Sequence, residues 1–170
     1  MVDVSIIGTG HLGAAVVRGL AGDGSHSVTA CDVSEAALAS VEDAADRTTT
    51  ALEDAATADV VVLAVKPDTV DAVLADLDLD ADQVLLSFAA GVSIDYLEAR
   101  TDATVVRGMP NLAAETNTMA CAIAGPQPPA VEALLASLGE FVAIDEAQMD
   151  VATAVNGSGP AFVFYLIQAL

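Results

Sequence analysis

Apolar runs alternate along this chain with segments whose apolar positions recur every three or four residues. That alternation predicts a parallel sheet with helices on both faces. Strands are expected at Val2–Ile7, Ser27–Cys31, Asp59–Val65, Val84–Ser87, Thr104–Arg107, Thr118–Ala124 and Glu140–Ile144, with at best a short one over Arg47–Thr50. Asp59–Val65 is the clearest, because after its first residue it has no polar position and must be covered on both sides. Helices are expected over His11–Ala21, from a Ser34 cap to Val41, and over Leu52–Ala56, Asp68–Leu77, Ile94–Ala99 and Pro129–Leu138. Glu35 falls in the first turn after the Ser34 cap, where the helix dipole favours it. From Glu146 onward the pattern is helical, breaks at Asn156-Gly157-Ser158-Gly159-Pro160 and resumes over Ala161–Leu170. That last stretch is apolar and ends without a cap, a glycine or a charged turn. It predicts either that the chain is cut short or that a subunit mate covers the helix.

Charge changes the picture more than size does. The chain has 170 residues, 54% of them hydrophobic, and a formal net charge of −20. Its 25 acidic residues stand against one lysine, Lys66, and four arginines. Such a surface repels polyanions, so nucleic acid and anionic membranes are not expected partners. The carboxylates are spread singly among apolar residues over the whole length instead of forming an acidic tail. That distribution predicts a salt-adapted, cytoplasmic protein whose self-repulsion is screened by concentrated electrolyte. No basic region precedes the first strand, so a signal peptide is not expected. Cys31 and Cys121 stand alone and no histidine cluster accompanies them, so neither a zinc site nor a disulfide framework is indicated.

One turn carries the candidate chemistry. Gly8-Thr9-Gly10-His11-Leu12-Gly13 reads G-x-G-x-x-G between the first strand and the first helix. In that setting Gly8 permits a tight turn, Gly10 lets a pyrophosphate approach the backbone, and Gly13 lets the helix pack on the strand. The free N–H groups at the helix start face the phosphates. Asp32 ends the second strand nineteen residues after Gly13, where a carboxylate accepts from both ribose hydroxyls of an adenosine. In doubly wound sheets ligands sit outside the carboxyl ends of the strands. The other candidates therefore occupy loops after strands: Ala64-Val65-Lys66-Pro67, Ser87 to Gly91 with Ala89, and Met109-Pro110-Asn111. Lys66 is an ordinary surface lysine or the one cation kept at a strand end for a ligand. Asn111 is either a turn residue or an amide for a carboxamide or ribose. His11 is expected to line the cofactor rim, and Arg107 to be an ion-pair partner more than a substrate anchor. No nucleophilic triad, carboxylate pair or metal cluster emerges, so no catalytic side chain is assigned and the chemistry falls to a redox cofactor.

Further residues give the chain a resemblance. Leu63-Ala-Val-Lys-Pro67 and Ser87-Phe-Ala-Ala-Gly91 resemble stretches of 6-phosphogluconate-dehydrogenase-like reductases. Arg107-Gly-Met-Pro-Asn111 together with Asn156-Gly-Ser-Gly-Pro-Ala161 resembles pyrroline-5-carboxylate reductase, over essentially the whole chain. The resemblance implies a Rossmann-type, mainly parallel sheet over residues 1–150, and the start of an all-helical dimerisation domain over 151–170. It implies reduction of the small molecule 1-pyrroline-5-carboxylate to proline by NADH or NADPH, and a homodimer or higher homo-oligomer. Gly8–Gly13 would cradle the pyrophosphate, Ala64–Pro67 would follow the nicotinamide half, and Ala89, Gly91 and Asn111 would sit near the nicotinamide. Glu146 matches a residue near the substrate. The chain departs from that pattern at Asp32, which stands where Ser, Asn or Arg receives a 2′-phosphate; NADH is therefore expected over NADPH. Ala51 replaces an asparagine, and most of the helical domain is missing. A cofactor-binding module without turnover, or another reductase with the same cofactor fold, remains the alternative.

Overall fold

The computed structural model describes residues 1–170. Eight strands form one sheet: β1 (Asp3–Ile7), β2 (Ser27–Cys31), β3 (Arg47–Thr49), β4 (Val60–Leu63), β5 (Val84–Ser87), β6 (Thr104–Pro110), β7 (Met119–Ala124) and β8 (Gly139–Ala143). Their order is β3-β2-β1-β4-β5-β6-β7-β8, parallel throughout except between β6 and β7. Only a short 3₁₀ turn, Leu112–Thr116, separates β6 from β7, too little chain for a crossover, so β7 returns antiparallel. Helices α1 (His11–Asp23), α2 (Glu35–Ala39), α3 (Leu52–Ala55), α4 (Val70–Asp76), α5 (Ile94–Glu98) and α6 (Pro129–Leu138) cover the two faces.

The continuous apolar runs are explained by two cores, one on each face. Val4, Ile6, Val60, Val62, Val84, Leu86 and Val106 point into a cluster of 25 residues shared with α1, α2 and α6. The alternate residues Ile7, Val61, Leu63, Leu85 and Val105 point into a second cluster of 16, beneath α3, α4 and α5. Each fully buried Val or Leu contributes about 1.5–3 kcal/mol, so the central strands dominate the stability. Local contacts tie the layers together. Gly24, in the left-handed region at φ +68°, ends α1, and Ser34 Oγ accepts the Ala37 N–H at the start of α2. Asn117, at φ 54°, donates through Nδ2 to the carbonyls of Gly19 (2.8 Å) and Ser137 (2.6 Å), linking α1 to α6.

Three expectations need correction. The strand expected over Thr104–Arg107 runs on to Pro110, so Met109 and Pro110 are strand residues and not loop. Proline is tolerated because the Asn111 N–H reaches Ala120 O (3.2 Å) on β7. The Pro110 nitrogen therefore points to the other side, where β5 has already ended at Ser87. The strand expected over Asp59–Val65 is shorter, Val60–Leu63, and Ala64 and Val65 leave the sheet for the loop at its carboxyl end. Finally, the helix does not break at Asn156–Pro160. Chain from α7 (Met149–Ala152) passes through a π-helical segment, Thr153–Ser158, into α8 (Gly159–Ala169) without interruption. The wider π turn shifts the hydrogen-bond register, and Pro160 then lies in the first turn of α8, where its missing N–H costs nothing. No helix is long and apolar enough to cross a membrane.

Candidate functional site

The carboxyl ends of β1, β2, β4 and β5 bring Gly8–Gly13, Asp32, Ala64–Pro67 and Ala89–Gly91 to one edge of the sheet. The three glycines of the first turn have different physical reasons. Gly8 lies at φ +93°, and a Cβ there would stand 2.8 Å from Val65 Cγ1 and 2.9 Å from Ala64 O. At Gly13 a Cβ would lie 1.8 Å from the Gly8 carbonyl oxygen, so α1 sits against the turn at a distance only glycine allows. Gly10 is unlike both: its φ is −66°, open to any residue, and a Cβ would meet nothing within 4 Å. The fold does not need glycine at this position. A ligand passing over the backbone would, and the first turn of α1 above it has no side-chain cap and no acidic residue. Uncapped N–H groups at the start of a 13-residue helix, beside open space kept free of side chain, fit a pyrophosphate.

Asp32 is already engaged. Its Oδ2 accepts from the Thr9 N–H (2.7 Å) and hydroxyl (3.2 Å), and its Oδ1 from the Ser34 N–H (2.9 Å). A carboxylate has about four acceptor positions. One is left, which reduces the expected pair of ribose hydroxyl contacts to a single one. The carboxylate also holds the glycine turn against the end of β2, a role for Thr9 that the motif spacing does not reveal. Next to it, burial and then the Asp32 charge push the Cys31 thiol up to about 11, and burial pushes Cys121 up to about 12. Neither thiol is a nucleophile near neutral pH.

Lys66 is exposed at the end of the β4 loop and has no carboxylate partner. Every arginine has one: Arg18 with Glu115, Arg47 with Asp54, Arg100 with Asp71 and Arg107 with Glu146. In so acidic a chain the one free cation stands at the sheet edge that the glycine turn marks. Ala89 is buried, its N–H bound to Ser87 Oγ (3.3 Å), and Gly91 turns the following loop at φ +75°. Asn111 Oδ1 takes the N–H groups of Ala113 and Ala120 (both 3.2 Å), which leaves only its Nδ2 donor for a ligand. His11 is exposed beside a groove of about 360 Å³ that Thr9, Gly10, Arg18, Ser40 and Glu115 also line, so it borders the glycine turn.

One oxygen of Glu146 is already engaged within the protein. Its Oε1 accepts from Arg107 Nη1 (2.7 Å) and from the Ile94 N–H (2.8 Å) at the start of α5. Burial would raise its carboxyl, but the Arg107 hydrogen bond, the Ile94 N–H and the Arg107 charge outweigh that and hold it below the usual range. The two motifs that carry the family resemblance also meet, since Asn156 Nδ2 donates to Met109 O (2.9 Å). These pairings span 39 and 47 residues, so no local spacing rule announces them. Beyond this point α8 stands clear of the sheet: none of its residues is buried, and Phe162, Phe164 and Tyr165 are each more than 70% exposed.

Known proteins match this arrangement. Residues 3–91 match the family described as "NADP oxidoreductase coenzyme F420-dependent", and residues 146–170 match "Pyrroline-5-carboxylate reductase dimerisation". The pyrroline-5-carboxylate reductase of Mycobacterium leprae (strain TN) is 37% identical over 188 residues, covering 100% of this chain and 64% of that protein. That of Pseudomonas aeruginosa PAO1 is 37% identical over 182 residues, covering 98% of this chain and 67% of its own. The crystal structure of 1-pyrroline-5-carboxylate reductase from Streptococcus pyogenes superposes with a TM-score of 0.88 at 29% identity, over 99% of this chain and 68% of that one. The chain thus spans about two thirds of the length of these relatives.

Proposed function

This chain belongs to the pyrroline-5-carboxylate reductase family, with a cofactor half of the F420-dependent NADP oxidoreductase type, and we propose from that premise that the protein reduces 1-pyrroline-5-carboxylate to proline. The observation that carries the reading is Gly10, a glycine that the fold does not require, beneath the uncapped start of α1. A nicotinamide bound across that edge supplies hydride. The chain's own residues supply placement: Gly8–Gly13 under the pyrophosphate, Lys66 as a free cation, Ala64–Pro67, Ala89, Gly91 and the Asn111 Nδ2 donor along the nicotinamide half. A protonated cyclic imine takes hydride at carbon while the C=N electron pair goes to nitrogen. The step needs no nucleophile or metal, only alignment and exclusion of water.

Asp32 sets the finer preference. Its negative charge, with no cation beside it, repels a 2′-phosphate, while its remaining acceptor position suits a ribose hydroxyl. NADH is therefore the favoured donor over NADPH. The domain boundary falls near residue 150, and α8 contributes to a homodimer, since an apolar helix with no buried residue gains most by burying that face against a second copy. The protein works in a cytoplasm of concentrated salt, where its charge of −20 is screened. Nucleic acid and membranes are not partners of so acidic a surface.

One experiment tests these points together. The chain is titrated with NADH and NADPH in molar KCl, then given pyrroline-5-carboxylate while NADH absorbance and proline are followed. Tight NADH binding and stoichiometric proline are expected, with NADPH at least tenfold weaker and a lower melting temperature after dialysis into dilute buffer. Absence of dinucleotide binding would refute the reading, tighter NADPH would overturn the role of Asp32, and equal stability without salt the salt adaptation. A second reading, dinucleotide binding without turnover, is favoured by the absence of any buried residue in α8. It is the outcome in which NADH binds and no proline forms.

A further inference from the structure

Glu146 lies where three parts of the molecule meet. Its Oε1 holds Arg107 on β6 and the first N–H of α5, which follows the Phe88–Ser93 loop carrying Ala89 and Gly91. Arg107 is buried, at 6% exposure, between Ser87 of β5 and Ala124 of β7 in register. An apolar cluster completes the node: Met109, Ala124 and Met149 are packed with Ala90 and Ile94 from the loop side and Ile144 and Ala152 from the helix side. Glu146 itself opens the segment 146–170 that runs into α7 and α8. This carboxylate and the cluster beneath it both join that segment to the loop after β5.

We propose that Glu146 is a positioning residue, a clamp that fixes the loop carrying Ala89 and Gly91 relative to the helical segment, and not a substrate ligand. The inference rests on the reading of Ala89–Gly91 as the nicotinamide side, but its central claim concerns the protein alone. A single oxygen with two donors from different elements transmits any displacement of the helical segment to the loop. Its charge also neutralises an arginine that is otherwise buried without a partner.

The test is amide hydrogen exchange in molar KCl, on the wild type, Glu146→Leu and the double variant Arg107→Met/Glu146→Leu. In Glu146→Leu, which leaves no acceptor for the Ile94 N–H, the Ile94 amide and residues 88–93 are expected to exchange at least tenfold faster, with β1 and β4 unchanged. The double variant replaces the ion pair with apolar contact, so its melting temperature is expected to recover while Ile94 still exchanges fast, because no acceptor faces its N–H. Recovery of Ile94 protection together with stability would mean that Glu146 serves stability only, and the proposal falls. Unchanged exchange at Ile94 in Glu146→Leu sinks it equally. In turnover, a clamp lowers kcat by about tenfold and leaves KM for the imine within about twofold; a raised KM at unchanged kcat would instead make Glu146 a substrate contact. If the wild type shows no turnover, the functional reading fails while the exchange result still decides the clamp.

Discussion

Replacing Gly10 with alanine or valine is expected to abolish dinucleotide binding and leave the fold intact. The backbone there has φ −66° and ψ −166°, open to any L-residue, and an added Cβ meets no atom within 4 Å. Alanine at such a position costs about 1 kcal/mol at the cap, partly offset by the unfolded chain's lower entropy. The space it would fill is the one that a pyrophosphate uses to reach the N–H groups of α1. A methyl group there separates the phosphates from those donors, and a hundredfold or greater loss of NADH affinity is expected, about 3 kcal/mol. NADH fluorescence titration and thermal melting of the same samples give both numbers. Undiminished affinity in Gly10→Val would remove the ligand from this turn altogether.

Gly13→Ala should do the opposite and strike the fold first. The added Cβ would lie 1.8 Å from Gly8 O and 2.9 Å from its carbonyl carbon, both backbone atoms that cannot rotate away. The helix must lift from β1, and with it Ala14, Val16, Val17 and Leu20, all of which are buried in the larger core. Ordinary overpacking costs about 1–3 kcal/mol; a backbone contact this short places the loss at about 3–5 kcal/mol. For a chain of this length that lowers the melting temperature by about 10 °C or more. A Gly13→Ala protein that melts with the wild type would show that helix and strand need not approach so closely. The two glycines stand three residues apart in one motif, and only their surroundings separate a ligand contact from a packing contact.

Where a segment's environment was implicit in its own residues, the sequence was sufficient. Ser27–Cys31, Val84–Ser87 and Pro129–Leu138 form their elements over those same residues. Two-sided burial writes a continuous apolar run, and a helix face writes a three-to-four repeat. The Gly-Met-Pro sequence misled because proline and glycine read as a turn, whereas β7 captures them as strand; that depends on β5 ending early. Gly159-Pro160 misled for a related reason, since the π turn just before them keeps the helix continuous, and Asn156 within that turn bonds Met109 on another element.

By itself the sequence determined the doubly wound architecture, the place of the glycine turn and the strand ends that would form a site. These follow from periodicity and from backbone constraints that act over a few residues. Only the tertiary structure decided that Asp32 spends three of its acceptor positions on Thr9 and Ser34, that Glu146 holds Arg107 and Ile94, and that Gly10 alone among the three glycines has open space above it. Apart from the Ser34 contact, which is two residues from Asp32, such facts depend on which donors and atoms the fold brings within about 3 Å of one another across tens of residues. A hydrogen bond is local in space and indifferent to sequence distance, so no spacing along the chain encodes it.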